Sequence, residues 1–107
     1  MKQIIEIKPG SLVQVESGDK VLTIQKGRRL YNLGEATLID PLDNREIDVD
    51  ILRVSYSNLK NIQQVDLYIH GEKNWQQLLE YLQQYYPDIK KDSTITVVRF
   101  NKVKKNV

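Results

Sequence analysis

The chain has no cysteine, one histidine, one tryptophan, one phenylalanine and three prolines in 107 residues. Without cysteine there is no disulfide, no thiol nucleophile and no thiolate ligand for zinc or an iron–sulfur cluster. The lone histidine, His70, precludes a multi-histidine metal site and any reaction that needs two imidazoles. No stretch approaches the run of about 18 apolar residues that a membrane span needs. Met1 to Glu6 breaks off before the apolar core of a signal peptide could form. Neither a glycine-rich phosphate loop nor a nucleophile elbow is present. These absences set the expectation of a soluble cytoplasmic protein that holds no metal and no organic cofactor and does not enter a membrane.

What is present is the balance of one globular domain, residues 1–107, with 40% hydrophobic and 28% charged residues. A chain of this size buries about two thirds of its unfolded surface, enough for one core and one shallow site. The net charge of +2 hides an order: residues 1–34 carry six bases and three acids, residues 35–72 three and eight, and residues 73–107 seven and three. Basic segments thus flank an acidic one.

The pattern reads as α+β. Gln3 to Ile7 suits a short strand ended by Pro9-Gly10, and Ser11 to Gly18 fits either a short capped helix or a strand. Lys20 to Gln25 and Ala36 to Ile39 read as strands. Pro41 to Asn44 reads as a hairpin connection whose second arm, Arg45 to Val54, points Ile47, Val49 and Ile51 inward. The apolar phase then slips to Leu52 and Val54, as a bulge would require. Ser57 to Ile62 suits a single helical turn. Trp75, Leu78, Leu79, Leu82 and Tyr86 recur at helical spacing behind Asn74, a good N-cap, and Pro87 stops the run. Thr94 to Phe100 is a strand with its own phase slip, and residues 101–107 read as a frayed tail. Five or six short strands with one main amphipathic helix and one or two short ones fit a small, mostly antiparallel β-barrel.

Asp48 and Asp50 share one strand face and with Asp43 or Glu46 offer oxygen ligands for Mg²⁺ or Ca²⁺. A solvated face opposite Ile47, Val49 and Ile51 accounts for the same alternation, so no metal site is expected. The segment with chemical promise is Ser17 to Gln25, with Gly18, Lys20 and Thr23, followed by Gly27 and Arg28-Arg29.

That segment resembles the signature of the ASCH (activating signal cointegrator homology) domains, in which a small residue precedes a Lys, a Thr follows three residues later and an Arg usually ends the strand. The resemblance continues through Leu30 to Glu35, where the family tends to have a Tyr-x-x-Gly-Asp turn. It runs on through His70 to Leu78 and through Tyr85-Tyr86-Pro87 to the last strand. It implies a barrel similar to the PUA domains of RNA-modifying proteins, with a cleft facing nucleic acid or a nucleoside. Some small bacterial members are amidohydrolases that remove the acetyl group of N(4)-acetylcytidine with a Lys, a Thr and a Glu. By position these fall on Lys20, Thr23 and His70, or on Glu72 with a short gap. The sequence departs from the family at Gln25, where an Arg is usual, and at His70.

The residues support two readings. For hydrolysis, a Lys of lowered pKa takes the proton of the Thr23 hydroxyl and an acid protonates the leaving amine. Residues three apart on a regular strand face opposite ways, so Lys20 must then lie on the turn after Gly18. For binding, Lys26, Arg28 and Arg29 form a cationic loop for phosphates, and Tyr31, Tyr56 and Tyr68 are candidates for stacking on bases. Lys90, Lys91, Lys102, Lys104 and Lys105 extend the basic footprint, or serve solubility alone. Trp75 is expected to anchor its helix to the core. RNA or nucleoside binding leads, an amidohydrolase follows, and a protein-interaction module is the third class.

Overall fold

Pro9 and four glycines, Gly10, Gly18, Gly27 and Gly34, punctuate the first third of the chain. The computed structural model describes residues 3–103. Strand β1 (Gln3–Glu6) ends before Pro9-Gly10, helix α1 (Leu12–Ser17) follows, and Gly18 closes that helix in the left-handed conformation at φ 85°. The open choice at Ser11 to Gly18 therefore resolves as helix: Leu12 and Val15, one turn apart, are both buried. Strands β2 (Leu22–Lys26), β3 (Gly34–Asp40) and β4 (Arg45–Asn58) come next, then a 3₁₀ turn (Leu59–Asn61), helices α2 (Gln64–His70) and α3 (Trp75–Gln83), and strand β5 (Thr94–Lys102).

The strands form one mixed sheet in the order β1-β3-β4-β5-β2, parallel between β1 and β3 and antiparallel elsewhere. The fourteen-residue β4 is its spine, pairing β3 through its first half and β5 along most of its length. The expected slip after Ile51 is a register shift between Ile51 and Arg53, which leaves Leu52 51% exposed. One extra residue on one strand increases the local twist. The sheet curls until its two edges face each other: Gln25 Nε2 of β2 donates to the Glu6 carbonyl at 3.1 Å, and the Lys8 ammonium just beyond β1 donates to the Ile24 carbonyl. The result is a half-barrel whose seam is closed by side chains in place of a strand ladder.

The apparent slip in β5 has another cause. Ile95 and Val97 point to one face and Val98 and Phe100 to the other in unbroken alternation, because this strand is covered on both sides. Val98 and Phe100 pack with Ile5, Ile7, Leu12 and Leu38, while Ile95 and Val97 pack with Leu22, Ile24, Leu78 and Leu82 under α3. Asn74 caps α3, its side chain accepting the Gln77 N–H at 2.9 Å, and Trp75 packs against the second cluster. The helix ends at Gln83, before Tyr86. The N–H groups of Tyr85 and Tyr86 both turn back to the Leu82 carbonyl, and the residue before Pro87 is disfavoured in the helical region.

Asn101 and Lys102 are not frayed: they continue β5 opposite Asp50 and Val49. Residues 104–107, and with them Lys104 and Lys105, lie outside the described residues. Among the described residues no helix is long and apolar enough to cross a membrane.

Candidate functional site

Opposite partners in an antiparallel pair share a face, so Thr23 against Val98 and Gln25 against Thr96 turn toward the first core cluster, while Leu22 and Ile24 turn toward the helices. Three of these four inward residues are polar, and all three are buried. Thr23 and Gln25 belong to β2 and Thr96 to β5; two cavities carry the candidate residues, one lined by Gln25 and the other by Lys20 to Leu22 at the start of β2.

The larger is a cleft of about 660 Å³ lined by Lys8, Gln25, Arg29, Tyr31, Glu6 and Tyr86, among others. Lys8 is 4% exposed, and its ammonium lies 5.6 Å from the centre of the Tyr86 ring. Burial, then the positive charges of Lys20 and Arg29, push the Lys8 pKa down to about 7. The Tyr31 hydroxyl donates to Gln25 Oε1 at 2.5 Å, and burial raises the Tyr31 pKa. The Arg28-Arg29 loop is held from below. The Arg29 N–H donates to Thr96 Oγ1 at 2.8 Å, the Thr96 hydroxyl donates to the Gly27 carbonyl at 2.6 Å, and the Tyr56 hydroxyl donates to the Arg29 carbonyl at 2.7 Å.

The smaller cavity, about 210 Å³, is lined by Lys20, His70, Glu72, Tyr81 and Asp19, among others. Lys20 sits on the turn between Gly18 and β2, its N–H bonded to the Gln14 carbonyl at 3.0 Å. Its pKa is lowered by burial and partly restored by the Glu72 carboxylate. His70 Nδ1 lies 2.6 Å from Glu72 Oε2. Tyr81 meets the His70 ring edge-on at 4.9 Å, and its own pKa is raised, first by burial and then by Tyr85.

The candidate residues thus divide. Lys20, His70 and Glu72 come together in the small cavity, and Arg29 and Tyr31 in the large one. Thr23 lines neither: it is 0% exposed, and its Oγ1 has no hydrogen-bond partner. Lys26 and Arg28 also stand outside the cleft lining, Arg28 placing its guanidinium 4.2 Å from the centre of the Tyr56 ring. Tyr68 is 62% exposed on α2, away from both cavities. Sequence reasoning missed Lys8 and Tyr86. A lysine ahead of Pro9-Gly10 reads as a solvated turn residue, and only the curl of the sheet buries it.

No family model and no curated protein matches the chain. Solved structures do. A DUF984 family-model protein from Enterococcus faecalis V583 superposes with a TM-score of 0.66 at 13% identity, over 96% of this chain and 80% of that one. An ASCH domain from Lactobacillus crispatus JV V101 gives 0.65 at 12% identity, over 84% and 68%. A mutant ASCH protein from Zymomonas mobilis gives 0.62 at 12% identity, over 92% and 66%. The likeness shows the fold: an α+β half-barrel similar to that of these ASCH-domain structures.

Proposed function

We propose that this ASCH-fold protein binds a nucleoside-containing ligand, RNA or a free nucleoside, in the seam cleft. The observation that carries the reading is the convergence of Lys8, Arg29, Tyr31 and Tyr86 on one cleft of about 660 Å³. Ligand pockets span roughly 300–1,000 Å³, so this cleft has room for a nucleoside, whereas the cavity of about 210 Å³ shared by Lys20, His70 and Glu72 falls below that range. The aromatic rings offer stacking surface, and the cations offer contacts to phosphate or to carbonyl oxygens of a base. The test is titration of the protein with labelled single-stranded RNA and with unlabelled nucleosides at two salt concentrations. Saturable binding that Arg29→Ala with Tyr31→Phe weakens by about tenfold or more supports the reading. Absence of saturable binding to every probe rejects it.

A second reading, a metal-independent amidohydrolase acting on N(4)-acetylcytidine or a related acylated nucleoside, is favoured by one observation: Lys20 and Glu72 share a cavity with His70. In this reading Thr23 is the nucleophile, Lys20 its base, and Glu72 or His70 the acid that protonates the leaving amine. The complete burial of Thr23 weighs against it, since a nucleophile must meet its substrate. Incubation with N(4)-acetylcytidine decides: no turnover above buffer removes that substrate.

A further inference from the structure

A buried lysine that closes a seam needs only a donor. Gln25 pins the same seam through its neutral amide, Nε2 to the Glu6 carbonyl at 3.1 Å. The charge of Lys8 is therefore not explained by joining the two edges. It is a costly charge to place there, because buried ions are normally paired or lose their charge. Among the described residues no carboxylate forms an ion pair with Lys8. The Ile24 carbonyl takes one of its three N–H donors, and the Tyr86 face lies alongside. The neighbouring charges, Lys20 and Arg29, are of the same sign. Arg29 lines the same cleft.

We infer that the seam cleft recognises a phosphate group on its ligand through Lys8 and Arg29, so that the ligand class is a nucleoside monophosphate in preference to the bare nucleoside. The inference rests on the binding function proposed above and specifies its ligand. An anion supplies the counter-charge that the protein itself leaves out, and it does so with charge-assisted hydrogen bonds from an ammonium and a guanidinium. Glu6, an exposed carboxylate in the cleft lining, limits how much negative charge the cleft accepts. One phosphate suits two cations and one carboxylate better than a run of phosphates does.

The experiment is calorimetric titration of the full chain near pH 6, where Lys8 is protonated, with inorganic phosphate, cytidine and cytidine 5′-monophosphate as probes. The nucleotide is expected to bind about 10- to 100-fold more tightly than the nucleoside. Lys8→Met should shrink that gap below about threefold. Arg29→Gln alters an exposed side chain and provides a second variant should Lys8→Met fail to fold; it too should narrow the gap. Equal binding of cytidine and its monophosphate overturns the phosphate site and leaves the nucleoside reading standing. Binding of inorganic phosphate alone, lost in Arg29→Gln, supports the anion site and overturns the nucleoside reading. No binding by any probe overturns both.

Discussion

The Tyr31 hydroxyl donates to Gln25 Oε1 at 2.5 Å while Gln25 Nε2 donates to the Glu6 carbonyl at 3.1 Å, so one neutral amide joins a loop to both edges of the half-barrel. The Gln25 side chain is oriented by these two bonds, since only its oxygen can accept from the phenol. Gln25→Leu leaves a phenol and a carbonyl unpaired and should cost about 1–3 kcal/mol. Tyr31→Phe, at a half-buried position, should cost about 1 kcal/mol or less. Urea melts of the two single variants and the double variant check the bond: a coupling energy near about 1 kcal/mol is expected, and strict additivity would show that the pair does not interact.

Lys8 ties stability to pH. Its pKa falls from 10.5 unfolded to about 7 folded, so between those values the unfolded chain binds the extra proton. Stability contributed at this site therefore rises as pH climbs from about 7 toward 10.5, and the penalty is present in full below that window. The groups around it act in the same direction, Lys20 and Arg29 by charge, with the neutral Tyr86 ring alongside. A depression of this size corresponds to on the order of 5 kcal/mol. Lys8→Met removes the penalty and also the bond to Ile24, so its net gain should be about 1–3 kcal/mol near pH 6 and should shrink as pH rises. Melting temperatures across that range test it: a variant no more stable than wild type at pH 6 would show that the buried charge is not the cost.

The two arginines of the basic loop should separate. Arg28 lies over the Tyr56 ring and outside the cleft lining, whereas Arg29 lines the cleft. Arg29→Ala should weaken ligand binding by about tenfold, and Arg28→Ala by less than about threefold. Equal losses in a titration would mean that the whole loop, and not the cleft wall, meets the ligand.

Legibility followed the range of the forces involved. Helix α3 was plain because its signals are local: Asn74 at the cap, Leu78 and Leu82 on one face, Pro87 beyond the end. Helix α2 leaves no local signal, because Val65, Leu67 and Ile69 alternate like a strand and its N-cap, Gln63, makes no capping bond, its side chain accepting from Arg53 instead. The bulge at Leu52 was visible as a phase slip, but the similar pattern at Val97-Val98 came from burial on both faces, which no local pattern distinguishes. The parallel pairing of β1 with β3 spans α1 and β2 and left no trace in sequence. Among the cavity residues, Lys20, His70 and Glu72 were candidates through the resemblance to the ASCH signature, and Arg29 and Tyr31 through residue type. Lys8 needed the closed seam.

Asp40 shows the same limit on the stability side. It is 2% exposed, and its carboxylate accepts from the N–H groups of Gly10 at 3.0 Å, Leu12 at 3.1 Å and Leu42 at 2.9 Å. Burial alone would raise its pKa, but these three bonds and the Arg45 charge together hold it below the ordinary 3.8. The lowered folded value means that the contribution is present above pH 3.8 and is lost as pH falls through the folded pKa. Asp40→Asn turns an amide NH₂ toward donors and should cost about 2–3 kcal/mol at neutral pH. The difference from wild type should narrow as acid protonates Asp40, a trend that denaturant melts at a series of pH values would record or exclude.

Thr23 separates the two functional readings most cleanly. Its hydroxyl is buried without a partner, a state that costs about 1–3 kcal/mol. Thr23→Val keeps the shape and removes the hydroxyl, so in a binding protein it should be neutral or stabilising by up to about 2 kcal/mol and leave ligand affinity unchanged. In an amidohydrolase the orphaned hydroxyl is held for attack, and the same change should abolish turnover of the acylated nucleoside while raising stability. Thermal melts and a turnover assay on one pair of proteins thus divide the cases. A large loss of stability in Thr23→Val would contradict both, because it would mean that the hydroxyl has a partner after all.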